Sequence, residues 1–189
     1  MTQIFNLRGW TSPSTMPTLV LMDMQQLQLT TSRALDNCRA ALRRARAAGL
    51  PVAFSRLLPV MYADEAMGPA TRWIDGFVPT RADMIFDRDK PSCYASAEFA
   101  DVVNLGSRRF ALAGFSGESS CLATAIDAFH RGHKFTFLFD ASASRPFGRL
   151  DAEDAHLAAV ELIAQYGAVQ TTADWIAECA RAAPLTLER

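Results

Sequence analysis

Short apolar runs alternate with longer amphipathic segments along the chain. The run 18–24, "TLVLMDM", is almost wholly apolar, as expected for a central strand covered on both faces. The segment 32–49 places its apolar side chains on one face and its arginines on the other, which predicts a helix. Gly49 and Pro51 end this helix, and the next strand is predicted at 51–55.

The same alternation continues to the end of the chain. Three predicted helices close on a glycine, at Gly49, Gly132 and Gly167, and a strand follows within one or two residues. Such short connections are typical of alternating β and α units, which build a parallel sheet with helices on both faces. We therefore predict an α/β fold in one domain over residues 1–189. The other strands are predicted at 83–86, 108–115, 134–140 and 168–172, and the other helices at 96–106, 119–131, 149–167 and 173–183, with a short helix inside a long connection at 68–79.

Composition and charge narrow the class of protein. The chain has 189 residues, half of them hydrophobic, and a formal net charge of −1, which gives no electrostatic footprint for nucleic acid or an anionic membrane. The first residues lack the apolar stretch of a signal peptide, and no apolar run approaches the roughly 20 residues that span a bilayer. The four cysteines are scattered and form no CxxC pair. We expect a cytoplasmic protein with free thiols.

The candidate chemistry lies just beyond the strand ends, because ligands of open α/β sheets bind at the carboxyl edge. Asp23 interrupts the first apolar run, Lys90 follows the third strand, and Cys121 opens the helix after the fourth. A thiol at a helix N-terminus meets free amides and the positive end of the dipole, which favour the thiolate. A carboxylate can take the thiol proton, and a lysine can hold that carboxylate charged. Each residue alone fits a structural role, but the combination predicts a cysteine nucleophile.

Histidine is a poor candidate for the base or for a metal ligand. His130 shares a helix with Cys121 but lies nine residues further on, which places it on the opposite face. His133 opens a strand at the wrong edge of the sheet, and His156 lies within a helix. With no histidine before residue 130, no compact ligand cluster is expected. We predict neither a metal nor another cofactor.

The chain resembles the isochorismatase-like hydrolases, also called cysteine hydrolases, in three stretches from about residue 17 to 172. These are "LVLMDMQ", "DKPSCYASAEF" and "GFSGESSCLATAIDAFHRGHKFTFLFDASASR", in the family's order. The resemblance implies a three-layer α/β/α sandwich around a mostly parallel six-stranded sheet, with residues 1–16 as an N-terminal extension. It implies an Asp, Lys, Cys triad, which falls on Asp23, Lys90 and Cys121.

The resemblance also implies a mechanism. Asp23 accepts the thiol proton, Cys121 attacks an acyl carbon, and backbone amides of Gly117, Glu118 and Cys121 hold the oxyanion. The leaving amine takes the proton back, and water activated by Asp23 hydrolyses the thioester. A non-proline cis peptide is implied just before the nucleophile, within residues 116–118.

The family divides by chemistry, and the sequence favours one branch. Nicotinamidase-like members hold a metal through an Asp-x-His after the second strand, where this chain reads "SRLLP". True isochorismatases cleave a vinyl ether and several lack the cysteine, so Cys121 argues against that branch. The resemblance thus implies a metal-independent hydrolase that cleaves an amide-type C–N bond of a small molecule. Vinyl ether hydrolysis by Asp23 without a covalent step, and a non-catalytic binding protein, remain alternatives.

Further expectations concern the pocket, the thiols and the partners. We expect a small-molecule substrate, a homo-oligomer (dimer or tetramer), and no nucleic-acid or membrane partner. Cys121 is predicted to have a depressed pKa and Cys93 is its rival, whereas Cys38 and Cys179 are predicted to face the core. Arg56 is a candidate for binding an anionic substrate, with a solvated arginine as the alternative. The candidates for the pocket wall, each also compatible with packing or exposure, are Gln25, Arg56, Trp73, Tyr94 and Ser116.

Overall fold

The computed structural model describes residues 18–26, 32–58 and 71–182, and its strands form one parallel sheet. The predicted N-terminal extension, 1–16, lies outside the described residues. The strands are β1 (Thr18–Met22), β2 (Val52–Leu57), β3 (Met84–Arg88), β4 (Arg109–Phe115), β5 (Lys134–Ala143) and β6 (Ala168–Gln170). The helices are α1 (Ser32–Ala47), α2 (Ala97–Leu105), α3 (Leu122–His130), α4 (Ala152–Ala164) and α5 (Thr172–Ala182).

The strand order is β3-β2-β1-β4-β5-β6, so the chain reverses direction across the sheet after β3. The first three strands grow outward from β1, and β4 returns to pair with its other side. This reversal places a topological switch point between β1 and β4, and ligands of open α/β sheets bind at the carboxyl edge of such a point. All five residues of β1 are buried, in agreement with the apolar run that predicted a central strand.

Helices cover both faces of the sheet and make three layers. Because side chains alternate along a strand, Leu19 and Leu21 pack into one hydrophobic cluster and Val20 and Met22 into the other. The first cluster includes residues of α1 and α5, and the second includes residues of α2, α3 and α4. The predicted α/β/α sandwich around a six-stranded sheet is confirmed.

The helix predicted in the connection between β2 and β3 is not found in the part that the structure describes. The short helix expected within 68–79 is absent over 71–79, where Trp73 instead forms a bridge to Gln25, and residues 68–70 lie outside the description. Gly76 has a φ of +86°, which no right-handed helix accommodates.

In the part of the chain that the structure describes, no helix has the length and apolar character needed to cross a bilayer.

Candidate active site

The carboxyl end of β1 carries a buried carboxylate. Asp23 follows β1 directly, is 0 % exposed and has a φ of 48°, in the left-handed region that few non-glycine residues adopt. Its amide donates to the carbonyl of Ser55 in β2 at 2.8 Å. A left-handed backbone conformation at a non-glycine residue costs on the order of 1–3 kcal/mol and persists only where surrounding contacts over-determine it. Asp23 is therefore held by two strands.

Three groups donate hydrogen bonds to the Asp23 carboxylate. Oδ1 accepts from the amide of Leu57 at 2.8 Å. Oδ2 accepts from Nη2 of Arg88 at 2.6 Å and from Oγ of Ser120 at 2.9 Å. Burial raises the pKa of the Asp23 carboxyl, while the charge of Arg88 and the hydrogen bonds oppose the rise. Strands β2 and β3 and the turn after β4 thus converge on one carboxylate.

Arg88, the last residue of β3, is fixed by three acceptors, and its side chain is 0 % exposed. Nε donates to Oγ of Ser55 at 2.8 Å, Nη1 to the carbonyl of Lys90 at 2.7 Å, and Nη2 to Asp23. A guanidinium keeps its charge in proteins and presents its donors in a rigid fork. Arg88 therefore sets a permanent cation against Asp23.

The structure places Lys90 elsewhere than predicted. Its side chain is exposed in the bend after β3, and no ion pair joins it to Asp23 among the described residues. The physical reason is the length of β3, which was predicted to end at residue 86 and continues to Arg88. Because side chains alternate, Arg88 lies on the buried face together with Phe86. Arg88 thus occupies the position that the prediction gave to Lys90.

Ser120 is the third member of the cluster, and the sequence did not single it out. It lies in a π-helical turn, Gly117–Cys121, that joins β4 to α3, and it is 4 % exposed. Its carbonyl accepts from Oγ1 of Thr124 at 2.8 Å, and this Oγ1 in turn accepts from the amide of Cys93 at 3.0 Å. The turn and the segment after β3 are thereby joined, which directs the Ser120 hydroxyl at Asp23.

The Cys121 thiol is fully buried, and no hydrogen bond joins it to Asp23 in the part of the chain that the structure describes. Its Sγ lies 3.7 Å from the carbonyl oxygen of Gly114 and 3.9 Å from Oγ of Ser142. Successive residues in a helical turn are rotated by about 100°, so Ser120 and Cys121 project in different directions from this turn. Burial raises the pKa of the Cys121 thiol well above its usual value, and hydrogen bonding by Ser142 only partly opposes this. The expected depressed pKa is not found.

The other thiols are also buried and free. Free thiols were predicted for all of them, and a core-facing position for Cys38 and Cys179. Cys38 donates to the carbonyl of Ala141 at 3.0 Å, and Sγ of Cys93 lies 2.9 Å from Sδ of Met22. Burial raises the pKa of the thiols of Cys38, Cys93 and Cys179 as well. Burial therefore disfavours the thiolate form at all four cysteines.

Two of the three amides that were predicted to hold the oxyanion donate hydrogen bonds within the protein instead. The amide of Cys121 donates to the carbonyl of Ser116 at 3.0 Å, and the amide of Glu118 donates to Oγ of Ser144 at 3.2 Å. Gly117 is buried, and a side chain there would press on Oγ of Ser144. The cis peptide is the Phe115–Ser116 bond, one residue before the predicted stretch.

Three candidates for the pocket wall lie together beside β2. Nε and Nη2 of Arg56 donate to the two carboxylate oxygens of Asp87 at 2.7 and 2.8 Å, and its guanidinium lies 5.3 Å from the ring centroid of Trp73. Gln25 is buried and pairs with Trp73 in a short bridge. Because Nε and Nη2 of Arg56 already hold the carboxylate of Asp87, a substrate carboxylate has to compete with Asp87 for this arginine.

Tyr94 packs into the core towards the opposite edge of the sheet. Its hydroxyl lies 2.7 Å from Nδ1 of His133, whose Nε2 lies 2.9 Å from Oδ1 of Asn104. Since the amide oxygen of Asn104 can only accept, Nε2 carries the proton and Nδ1 accepts from Tyr94. The structure thus gives Tyr94 a packing role, which was one of its two expected roles.

Both residues that the sequence interpretation missed lie close to the predicted ones. Arg88 is two positions before Lys90, and Ser120 is one position before Cys121. Side chains alternate along a strand, so a strand that buries Phe86 and continues two residues further also buries Arg88. This alternation was the one sequence signal for Arg88. For Ser120 no comparable pattern exists, because the direction of a side chain in a single turn depends on its neighbours in space.

The described residues contain no group of three or more His, Cys, Asp or Glu side chains that could hold a metal ion. The segments 27–31 and 59–70, which follow β1 and β2 in the sequence, lie outside the described residues.

Comparisons with known proteins agree on one family. The model of the isochorismatase domain matches residues 17–174. A solved isochorismatase from Pseudomonas putida is 24% identical, with 92% of this chain and 98% of that chain covered and a TM-score of 0.77. A cysteine hydrolase from Pseudomonas syringae is 20% identical, with 95% and 98% covered and a TM-score of 0.77. An isochorismatase family protein from Burkholderia thailandensis is 16% identical, with 89% and 98% covered and a TM-score of 0.74. No curated protein matches the sequence significantly.

Proposed function

The chain belongs to the isochorismatase family of hydrolases, and we propose that it hydrolyses a small molecule at the site formed by Asp23, Arg88 and Ser120. The observation that carries the proposal is the buried Asp23 carboxylate, with Arg88 and Ser120 both on its Oδ2. This carboxylate lies at the switch point of the sheet, where α/β proteins bind their ligands.

Asp23 is the group that transfers the proton. Burial raises its pKa above the usual range of a carboxyl group, which favours the protonated form that a general acid needs. Arg88 cannot take part in proton transfer, because its guanidinium does not deprotonate. Its role is to stabilise the anion that remains when Asp23 has released its proton.

Cleavage of an enol ether without a covalent intermediate is the reaction that suits these groups best. The Asp23 proton adds to the terminal carbon of the double bond, which leaves an oxocarbenium ion. Water adds to the cationic carbon and returns a proton to Asp23, and the resulting hemiketal breaks into a carbonyl compound and an alcohol. Ser120 positions the substrate beside Asp23, and no step needs a thiolate, in keeping with the buried Cys121.

Acyl transfer to Ser120 is the second candidate. It is favoured by the 2.9 Å hydrogen bond from Ser120 Oγ to Asp23, which is the geometry of a nucleophile beside its base. Against it stands the low acidity of a serine hydroxyl compared with a thiol. A carboxylate that is held by Arg88 is a weak base for such a proton.

The experiment is hydrolysis of a panel of enolpyruvyl ethers, amides and esters in D₂O, followed by mass spectrometry of the products. Enol ether cleavage incorporates deuterium into the methyl group of the carbonyl product, whereas acyl hydrolysis incorporates none. We expect labelled product from the wild type and none from Asp23→Asn. A Ser120→Ala variant that retains slow ether cleavage supports the first reaction. An acyl adduct on Ser120 in the wild type, with unlabelled products, would establish the second.

A further inference from the structure

A cavity of about 490 Å³ opens at the amino edge of the sheet, the edge opposite to Asp23. It is lined by the first residues of three adjacent strands, Arg109 of β4, Lys134 of β5 and Ala168 of β6. We call it the amino-edge cavity. Strand β4 has 7 residues, so about 20 Å separates the cavity from the turn that carries Ser120. The cavity is therefore distinct from the candidate active site.

Two cations lie side by side in this cavity. Arg109 and Lys134 are paired in register on neighbouring parallel strands, so their side chains project from the same face of the sheet. Both are exposed, and neither takes part in an ion pair within the described residues. The lining contains one carboxylate, Glu178, which accepts from Nε2 of Gln170 at 3.5 Å. The formal charge of the lining is thus positive.

A third arginine near the cavity has an unused donor. Nε of Arg44, on α1, is buried and has no hydrogen-bond partner within the described residues. The charge of Arg44 acts on the thiol of Cys179, which lines the cavity. Arg44 thus adds a further positive charge on the side of the cavity that Cys179 lines.

The inner walls of the cavity are apolar and closely packed. Trp175 and Phe135 both line it, Trp175 in the hydrophobic cluster on one face of the sheet and Phe135 in the cluster on the other. The ring of Phe135 packs against the backbone of Gly167 so tightly that any side chain at 167 would collide with it. Fixed aromatic walls with a few charged groups at the rim are typical of small-molecule sites of this volume.

We propose that the amino-edge cavity binds a small organic anion, a carboxylate on an aromatic body. The carboxylate binds Arg109 and Lys134. The ring lies against Trp175, which packs in the same cluster as Ala111, on the face of the sheet that carries Arg109. Guanidinium and ammonium groups form charge-assisted hydrogen bonds with carboxylates, and the apolar walls bury the ring. The site is a binding site only, and it does not depend on the reaction proposed for Asp23.

The test is isothermal titration calorimetry of the full chain with 3-phenylpropionate and with 3-phenylpropanol, its uncharged counterpart. We expect saturable one-site binding of the carboxylate and a Kd at least about tenfold higher for the alcohol. The Arg109→Ala/Lys134→Ala double variant should weaken carboxylate binding by about tenfold or more. The control, Arg81→Ala/Arg149→Ala, removes the same charge from exposed positions outside the cavity and should leave Kd unchanged.

Two further measurements locate the ligand. Asp23→Asn should leave Kd unchanged, and the carboxylate should shift the indole N–H resonance of Trp175, which is assigned by its loss in Trp175→Phe. Absence of binding, equal affinity for the alcohol, or equal loss in the control variant would overturn the proposal. Loss of binding in Asp23→Asn would also overturn it, since the ligand would then lie in the candidate active site.

Discussion

Two Arg–Asp pairs meet on strand β3, and they differ in burial rather than in chemistry. Arg88 pairs with Asp23, and both side chains are 0 % exposed. The neighbouring residue, Asp87, pairs with Arg56, and these side chains are 26 % and 27 % exposed. Because consecutive residues of a strand face opposite sides, one β3 residue enters the candidate site and the next stays near the solvent. Burial raises the pKa of Asp23 while Arg88 opposes the rise, and this pair organises the candidate site, whereas the half-exposed pair is expected to add little to stability.

Removing the buried cation should have the largest effect. Arg88→Ala leaves the Asp23 carboxylate buried with two weaker donors, and we expect a loss of about 3–5 kcal/mol in the free energy of unfolding and no measurable turnover. The matched control is Lys90→Ala, because only the backbone carbonyl of Lys90 contacts Arg88. Urea unfolding and turnover assays measure both variants. Equal losses of stability and turnover in the two variants would show that the Lys90 side chain, as first predicted, belongs to the site.

The pH dependence of stability sharpens the comparison. Since burial raises the pKa of Asp23 above that of the unfolded chain, the folded protein binds this proton more tightly. The contribution of Asp23 to stability is therefore fully present below the unfolded-state pKa and is lost as the pH rises through the folded-state pKa. The free energy of unfolding of the wild type should fall relative to Asp23→Asn across that window, by up to about 1.4 kcal/mol per unit of pKa shift. Urea titrations from the unfolded-state carboxyl pKa of about 4 upwards measure this. A difference that is constant with pH would contradict the direction of the shift.

The half-exposed pair should matter much less. Arg56→Ala removes both hydrogen bonds to Asp87, yet water replaces them, so we expect a loss of about 0–1 kcal/mol in the free energy of unfolding. Values of KM for acidic substrates should stay the same, because the guanidinium is already occupied. A large rise in KM that is confined to anionic substrates would show that Arg56 leaves Asp87 to bind them.

The smallest effect is expected at the thiol beside Ser120. Cys121→Ala should keep turnover within about twofold of the wild type, because Sγ contacts Gly114 and Ser142 rather than Asp23. A raised pKa lowers the thiolate fraction at any given pH, so native Cys121 should react with iodoacetamide far more slowly than after unfolding. Rapid native labelling of Cys121 near neutral pH, together with loss of turnover in Cys121→Ala, would restore the thioester mechanism.

The sequence by itself determined the architecture and one member of the site. An almost wholly apolar run is stable only when both faces of the strand are covered, so 18–24 indicated a central strand. A charged residue in a covered strand is expected only at the end of the strand, so Asp23 was a candidate for the site at that end. Glycine stops and short connections indicated the parallel order. These signals are local, because period and turn chemistry act within a few residues.

Only the tertiary structure decided which side chains surround Asp23. Lys90 and Arg88 are both cations near the end of β3, and the exact end of the strand, set by its pairing with β2, put Arg88 inside. Ser120 and Cys121 share one turn, and its rotation relative to β1 gave the hydroxyl to Asp23 and the thiol to the core. In the sequence, chemical reactivity favoured the cysteine over the serine. Which of the two contacts Asp23 depends on the direction in which each side chain points. Direction is set by residues that are distant in the chain and adjacent only after folding.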